Sequence, residues 1–302
     1  MQEELYSKLS KGGNDMKILL SAESTIDTPV ELLEQWGVST IHFHLERDGE
    51  SFRDDAYPVS KLFEYTDKTN KMCHTSAPNV QEYEDYFKSI MNDDVCVLHF
   101  TISSKLSSSY SNACFASQGN PRIKVIDTKC TSGAIALLVL YAKDLIEAGY
   151  SFDEVYSKVL ARRDFASTSF IIKDLKYLYK GGRCCGLGYY ATKLLKIRPV
   201  IQTVEDGSFK MGKTYRGEMD KCILRYIRDR LDSFPLLDTK RCFVNISTCD
   251  EDTIEKAKKI CKDYGFEEIY FGVASPVNSY HAGPGVLGVH FLYDGKQNII
   301  SK

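Results

Sequence analysis

The stretch VCVLHFTISSKLSSSYSNACFAS, residues 95–117, decides the fold. It opens on six residues without interruption by a strong polar group, the signature of a strand covered on both faces. It then empties into Ser103, Ser104, Ser107, Ser108, Ser109 and Ser111, and a helical pattern occupies about 107–118. A doubly covered strand running into a helix is one step of an alternating β/α chain.

The same alternation extends outward in both directions. Upstream, KILLS (17–21) reads as a buried strand, TPVELLEQWG (28–37) as a helix, and VSTIHFHLERDG (38–49) as one strand ending in a turn. Two further helical stretches follow near 59–70 and 79–93. Downstream come the strand IKVIDT (123–128) and the long, nearly all-apolar helix of 132–149. This order predicts a doubly wound, mostly parallel sheet. The pattern changes near residue 168. STSFIIK reads as a strand, and 197–217 as a hairpin turning at Asp206-Gly207. A helix (218–231), strand (241–248), helix (251–264) and strands near 267–275 and 287–293 complete a second, α+β domain. The expected boundaries are an N-terminal extension over 1–16, an α/β domain over 17–168 and an α+β domain over 169–302.

The 302 residues suffice for two such domains, and 43% hydrophobic with 26% charged content is ordinary for a globular chain. A net charge of −2 argues against nucleic acid. No apolar run of membrane-spanning length is present, and the N-terminus lacks a signal-like apolar segment, so the expected location is the cytoplasm. Ten cysteines, including Cys184, Cys185 and Cys222, form no CxxC pair and read as reduced thiols.

Several stretches have the chemistry of a site. The serines after strand 95–100 lie where doubly wound sheets bind ligands, beyond the carboxyl ends of strands. Thr75 and Ser76 in HTSAPNVQEYEDYF (74–87) form a second hydroxyl pair before a helix. Hydroxyls so placed either cap helices or hold an anionic group, and the pattern leaves both open. Gly283-Pro284-Gly285-Val286-Leu287-Gly288 matches GxGxxG only as a string, since a strand pattern and not a helix follows. It reads as a tight turn with His281 at its rim, and a lone histidine is more often structural. In YLYKGGR (177–183), Lys180 and Arg183 surround two glycines, a helix C-cap before it is a charged grip. His42 and His44 share a strand face without a third ligand in reach, so no metal is expected.

SAESTIDTP, HTSAPNVQEYEDYF, ISSKLSSSYSNA, VIDTKCTSGAI, LKYLYKGGR, Arg216-Gly217 and HAGPG occur here in the order found in the DegV family, and residues 17–293 resemble that family throughout. The resemblance implies a fatty acid buried in a cleft between the two domains, with no further cofactor. Its carboxylate would be held by Thr75 and Ser104, within a network of Ser76, Ser103, Arg216, His281 and Gly283. Lys180 and Arg183 would form a loop or partner site. The implied partner is the ATP-binding subunit of a fatty acid kinase, to which the chain presents the carboxylate; transient contact with a membrane is compatible with this role. The chain departs from the family at Glu23, where aspartate is usual, and at Ser108, where glycine is usual; the loop before Arg216 is one residue longer. These bear on pocket shape and chain-length preference. The reading from a different class is a serine hydrolase with Ser104 as nucleophile and His281 as base, without a nucleophile elbow.

Overall fold

The computed structural model describes residues 16–183 and 196–294. The expected extension, but for Met16, and Cys184 and Cys185 lie outside them.

Strands β1 (Lys17–Glu23), β2 (Val38–Ile41), β6 (Val95–Thr101) and β7 (Ile123–Asp127) form a wholly parallel sheet in the order β2-β1-β6-β7. Every residue of β6 is buried, as its uninterrupted apolar run requires. On one face, α3 (Val80–Ile90) and α4 (Ser109–Ala116) cover the sheet around Tyr83, Phe87, Val97 and Val125. Earlier in the chain lie α1 (Val30–Trp36) and α2 (Val59–Thr69). The other face packs on α5 (Gly133–Glu147), the long apolar helix, followed by α6 (Phe152–Arg163).

The second sheet has six strands in the order β10-β9-β8-β13-β11-β12. They are β8 (Ala166–Ile171), β9 (Ile197–Thr203), β10 (Phe209–Arg216), β11 (Leu237–Ile246), β12 (Glu268–Val273) and β13 (Leu287–Tyr293). Only β11 and β12 pair in parallel. Its outer face carries α8 (Met219–Asp232) and α9 (Glu251–Asp263), and its inner face rests on α5. α5 is thus buried almost all round because both sheets claim it. Gly133 at its start lies so close to β11 that a Cβ would stand 2.5 Å from Asn245 Oδ1. The parallel sheet and the second, sheet-rich domain are therefore the architecture the alternating pattern predicts.

One expected strand is two. The run 38–49 splits into β2 and β3 (His44–Arg47), which belong to different sheets. β3 pairs antiparallel with β4 (Glu50–Arg53) and β5 (His74–Ser76) in a small separate sheet. The break falls at His42-Phe43, where the Phe43 N–H turns to Ser24 Oγ and its carbonyl accepts the Asp54 N–H. Backbone partners outside the ladder end a strand even where apolar alternation continues. Two short helices, α7 (Lys176–Lys180) and α10 (Pro276–Ala282), complete the chain; α10 packs against both α2 and α7 and so bridges the lobes.

Candidate functional site

Thr75 sits in β5, and its Oγ1 is 2.9 Å from Nε2 of His281 on α10. α10 is pinned to the first lobe one residue earlier, where the Tyr280 hydroxyl accepts the Cys73 N–H and lies 3.3 Å from Thr66 Oγ1. His281 Nδ1 is buried without a partner among the described residues, against the backbone of Gly181. A Cβ at 181 would overlap it, so the first glycine of KGGR serves close approach. Desolvation, with Arg183 nearby adding to it, pushes His281 down to about 3, so the ring is neutral at physiological pH.

Arg183 continues the rim. Its Nε donates to Leu106 O in the serine loop at 3.3 Å, and a terminal nitrogen donates to Gly181 O at 2.8 Å. Lys180 is exposed, and Gly181 ends α7, as a C-cap reading expects. Arg216 is exposed at the end of β10, and Ser76 is exposed on β5. The helix after Thr75-Ser76 is capped instead by Asn79, in a capping box with Glu82. Gly283 ends α10 at φ +88°, with Tyr177 where its Cβ would be.

The two serines of the SSK motif part ways. Ser103 is fully buried, and its hydroxyl donates to Gly207 O at 2.7 Å, tying the β9–β10 turn to the end of β6. Ser104 is exposed, and its hydroxyl donates to Asp127 Oδ2 at 2.5 Å while its N–H reaches Asp127 Oδ1 at 3.1 Å. No hydrogen bond joins Ser104 to His281 or to Thr75 among the described residues. A nucleophile needs its base within hydrogen-bond reach, and each of these groups is engaged elsewhere, so the hydrolase alternative is not supported.

Glu23, at the family's aspartate, is buried at the end of β1. It accepts the Tyr83 hydroxyl at 2.6 Å and the Ile102 N–H at 2.7 Å, fixing the strand end that leads into the serines. Burial outweighs these bonds and lifts its carboxyl to about 7.

A cavity of about 480 Å³, its mouth included, opens between the lobes, with Phe170, Leu178, Phe209 and Val286 as apolar wall and His281 at its edge. An apolar wall faced by convergent polar groups suits an organic ligand with a polar end. A second cavity of about 510 Å³ is lined by Asp144, Asp238, Lys240 and Arg241, whose charges pair with one another or with Arg162 and Glu268. Leu137, Tyr141 and Leu292 supply the rest of its wall, and an alkyl chain laid there would desolvate those charges.

Sequence reasoning missed the polar side of the first cavity. Asp27 holds left-handed backbone at φ +53° and receives the Ser275 N–H at 2.7 Å and Asn278 Nδ2 at 2.9 Å from the other lobe. Asn245 Nδ2 donates to Asp27 O at 2.7 Å, and Asn245 Oδ1 accepts the Gly133 N–H. The one sequence signal was Asp27 closing the SAESTID segment; its partners come from 218 to 251 positions away. His42 meets Asp54 and Asp55 across a loop, three ligating residues of two types that reasoning along one strand could not join, while His44 pairs with Glu82 at 2.7 Å.

Known proteins share this fold. A 282-residue match, 28% identical, joins the chain to a Thermotoga maritima protein named "Fatty acid-binding protein", covering 90% of this chain and 96% of that one. The structure "Fatty Acid Binding of a DegV family Protein from Thermus thermophilus" superposes with a TM-score of 0.80 at 26% identity, covering 92% of this chain and all of that one. The Streptococcus pneumoniae fatty acid kinase (Fak) B3 protein loaded with linoleic acid shares the fold, with a TM-score of 0.77 at 21% identity over 92% of this chain and all of that one. The family model described as "Uncharacterised protein, DegV family" matches residues 17–294, which takes in both sheets, the serine loop and the Thr75–His281 rim, and the chain belongs to the DegV family.

Proposed function

We propose that this chain binds a long-chain fatty acid in the cavity between its lobes and presents the carboxylate to a kinase partner. The observation that carries the reading is the meeting of Thr75, from one lobe, with a neutral His281, from the other, at the edge of a largely apolar cavity. Each buried methylene contributes about 0.8 kcal/mol, so a sixteen-carbon tail supplies on the order of 10 kcal/mol before the costs of ordering it and desolvating the head group. With the neutral His281 donating Nε2–H to Thr75 Oγ1, the Thr75 hydroxyl proton is free for a neutral hydrogen bond to that head group. Neutral donors leave carboxylate oxygens more available than a bidentate guanidinium would, which suits an acid that must attack a phosphoryl group.

Ser104 joins this head-group site conditionally. Its one hydroxyl proton is given to Asp127, so it donates to a carboxylate only after releasing that partner. Ser103 supports the site from behind, through the Gly207 carbonyl. Exposed Lys180 and half-buried Arg183, which flank Gly181 beside His281, supply positive charge for a partner that carries nucleotide, and exposed Arg216 at the end of β10 is a further candidate for it. The relatives named for fatty-acid binding support the ligand, and the fatty acid kinase B3 protein, which has the same fold, supports the partner.

The test is reconstitution. Oleate-loaded protein is mixed with ATP and the ATP-binding subunit of a fatty acid kinase, and acyl phosphate is trapped with hydroxylamine. Product that depends on this chain is expected. Tight oleate binding without product from any such subunit would remove the presenting role and leave the carrier role.

A further inference from the structure

His290 lies on β13 and faces the cavity, unlike its neighbours Val289 and Phe291, which pack into the outer core with α8 and α9. The side chain is 1% exposed, and its Nδ1 has no hydrogen-bond partner among the described residues. Its Nε2 lies over Gly288, another cavity-lining residue, 2.9 Å from where a Cβ would stand. The glycine therefore leaves this edge of the ring uncovered by a side chain. Other polar groups of the wall have partners, Asp27 in Ser275 and Asn278 and Asn245 in Gly133 and the Asp27 carbonyl, while the open Nδ1 of His281 at the cavity edge is turned against Gly181. The His290 imidazole is thus an unmet hydrogen-bonding demand in this wall, and buried polar groups ordinarily find partners.

Resting on the fatty-acid reading above, we propose that the cavity selects acyl chains bearing a mid-chain hydroxyl, and that His290 is the residue that recognises it. A plain hydrocarbon tail laid along this wall leaves the imidazole unpartnered. Burial, with Arg230 adding to it, pushes His290 down to about 3, so the ring is neutral and has one N–H and one bare nitrogen. A hydroxyl both donates and accepts, and so matches either tautomer; a keto oxygen matches only the donating edge. Loss of an expected hydrogen bond is what makes polar pockets discriminate strongly against analogues that lack the group.

The experiment compares stearate with a set of hydroxystearates carrying the hydroxyl at successive mid-chain positions, titrated into the delipidated full chain. At least one position is expected to bind about tenfold tighter than stearate, the effect of one added hydrogen bond in a dry site. His290→Leu is expected to abolish that preference while keeping stearate binding, and His290→Gln to retain part of it. Equal affinities across the set, or a preference that survives His290→Leu, would overturn the proposal. Should the leucine variant fail to fold, the wild-type series and the glutamine variant still decide it. Binding of neither stearate nor any hydroxystearate would overturn the fatty-acid reading itself, and this inference with it.

Discussion

Thr75 and His281 lie 206 positions apart and share a 2.9 Å hydrogen bond across the two lobes. The contact exists because β5 and α10 converge, with Tyr280 pinned to Cys73 and Thr66 beside it. Thr75→Val keeps the shape and removes the hydroxyl. Oleate affinity is expected to fall by about tenfold or more, with a Tm loss no larger than that of one buried hydrogen bond, and Thr75→Ser to recover most of both. Isothermal titration reads the first effect and thermal denaturation the second.

Gly181 tests the same rim by shape alone. Gly181→Ala places a methyl on His281 Nδ1 and forces the ring off Thr75. Fatty-acid binding should be lost or severely weakened while far-ultraviolet circular dichroism stays native. Wild-type affinity in this variant would show that the ring's position is immaterial to the ligand.

Ser103 and Gly207 join the hairpin to the serine loop. Ser103→Ala removes one buried hydrogen bond and leaves the Gly207 carbonyl unpaired there, a loss of about 1–3 kcal/mol in urea unfolding. Gly207→Ala should cost more. Its φ of +86° disfavours a side chain, and the new Cβ would overlap Ser103 Oγ.

Stability should depend on pH through buried carboxyls. Burial lifts Glu23 from 4.5 to about 7, so the folded state holds a proton that the unfolded chain releases between these values. The stability this group contributes is full below about 4.5 and is lost as pH rises through 7. Glu23→Gln removes the dependence, so the variant should gain on wild type between pH 5 and pH 8 by roughly 2–3 kcal/mol. Asp27, lifted from 3.8 to about 7 by burial, acts in the same direction. His99 acts oppositely: burial lowers it from 6.5 to about 3, and the stability present above 6.5 is lost as pH falls toward 3. Paired urea titrations of wild type and Glu23→Gln at the two pH values check the difference.

Local pattern carried much of the fold. The apolar run of β6 and the all-round apolar start of α5 each state their burial in consecutive residues. The Asp206-Gly207 turn was equally legible, since Gly207 has the positive φ that such turns demand. The split of 38–49 was not, because Ser24 and Asp54, which end β2's extension, are distant in sequence. The helices α6 and α10 were also missed. α6 has a capping box at Ser151 and Glu154 that was available to the reading, whereas α10 is only seven residues long and begins at proline. Of the site, Thr75 and His281 were named from the family resemblance, and the structure brings them together. Ser103 and Ser104 are expected in one network, yet in the turn that follows β6 their side chains part, one to Gly207 and the other to Asp127. The Asp27–Asn278–Asn245 seam could not be read, because each member is an ordinary polar residue until the two lobes meet.

The central claim is that an alkyl chain occupies the space between the lobes with its acid end at Thr75 and His281. Its most direct test is denaturing extraction of the purified full chain followed by mass spectrometry of the organic phase. One fatty acid per chain is predicted from wild type, and much less from Thr75→Val and Gly181→Ala. A wild-type extract free of fatty acid, from protein that also fails to take up added oleate, would contradict it.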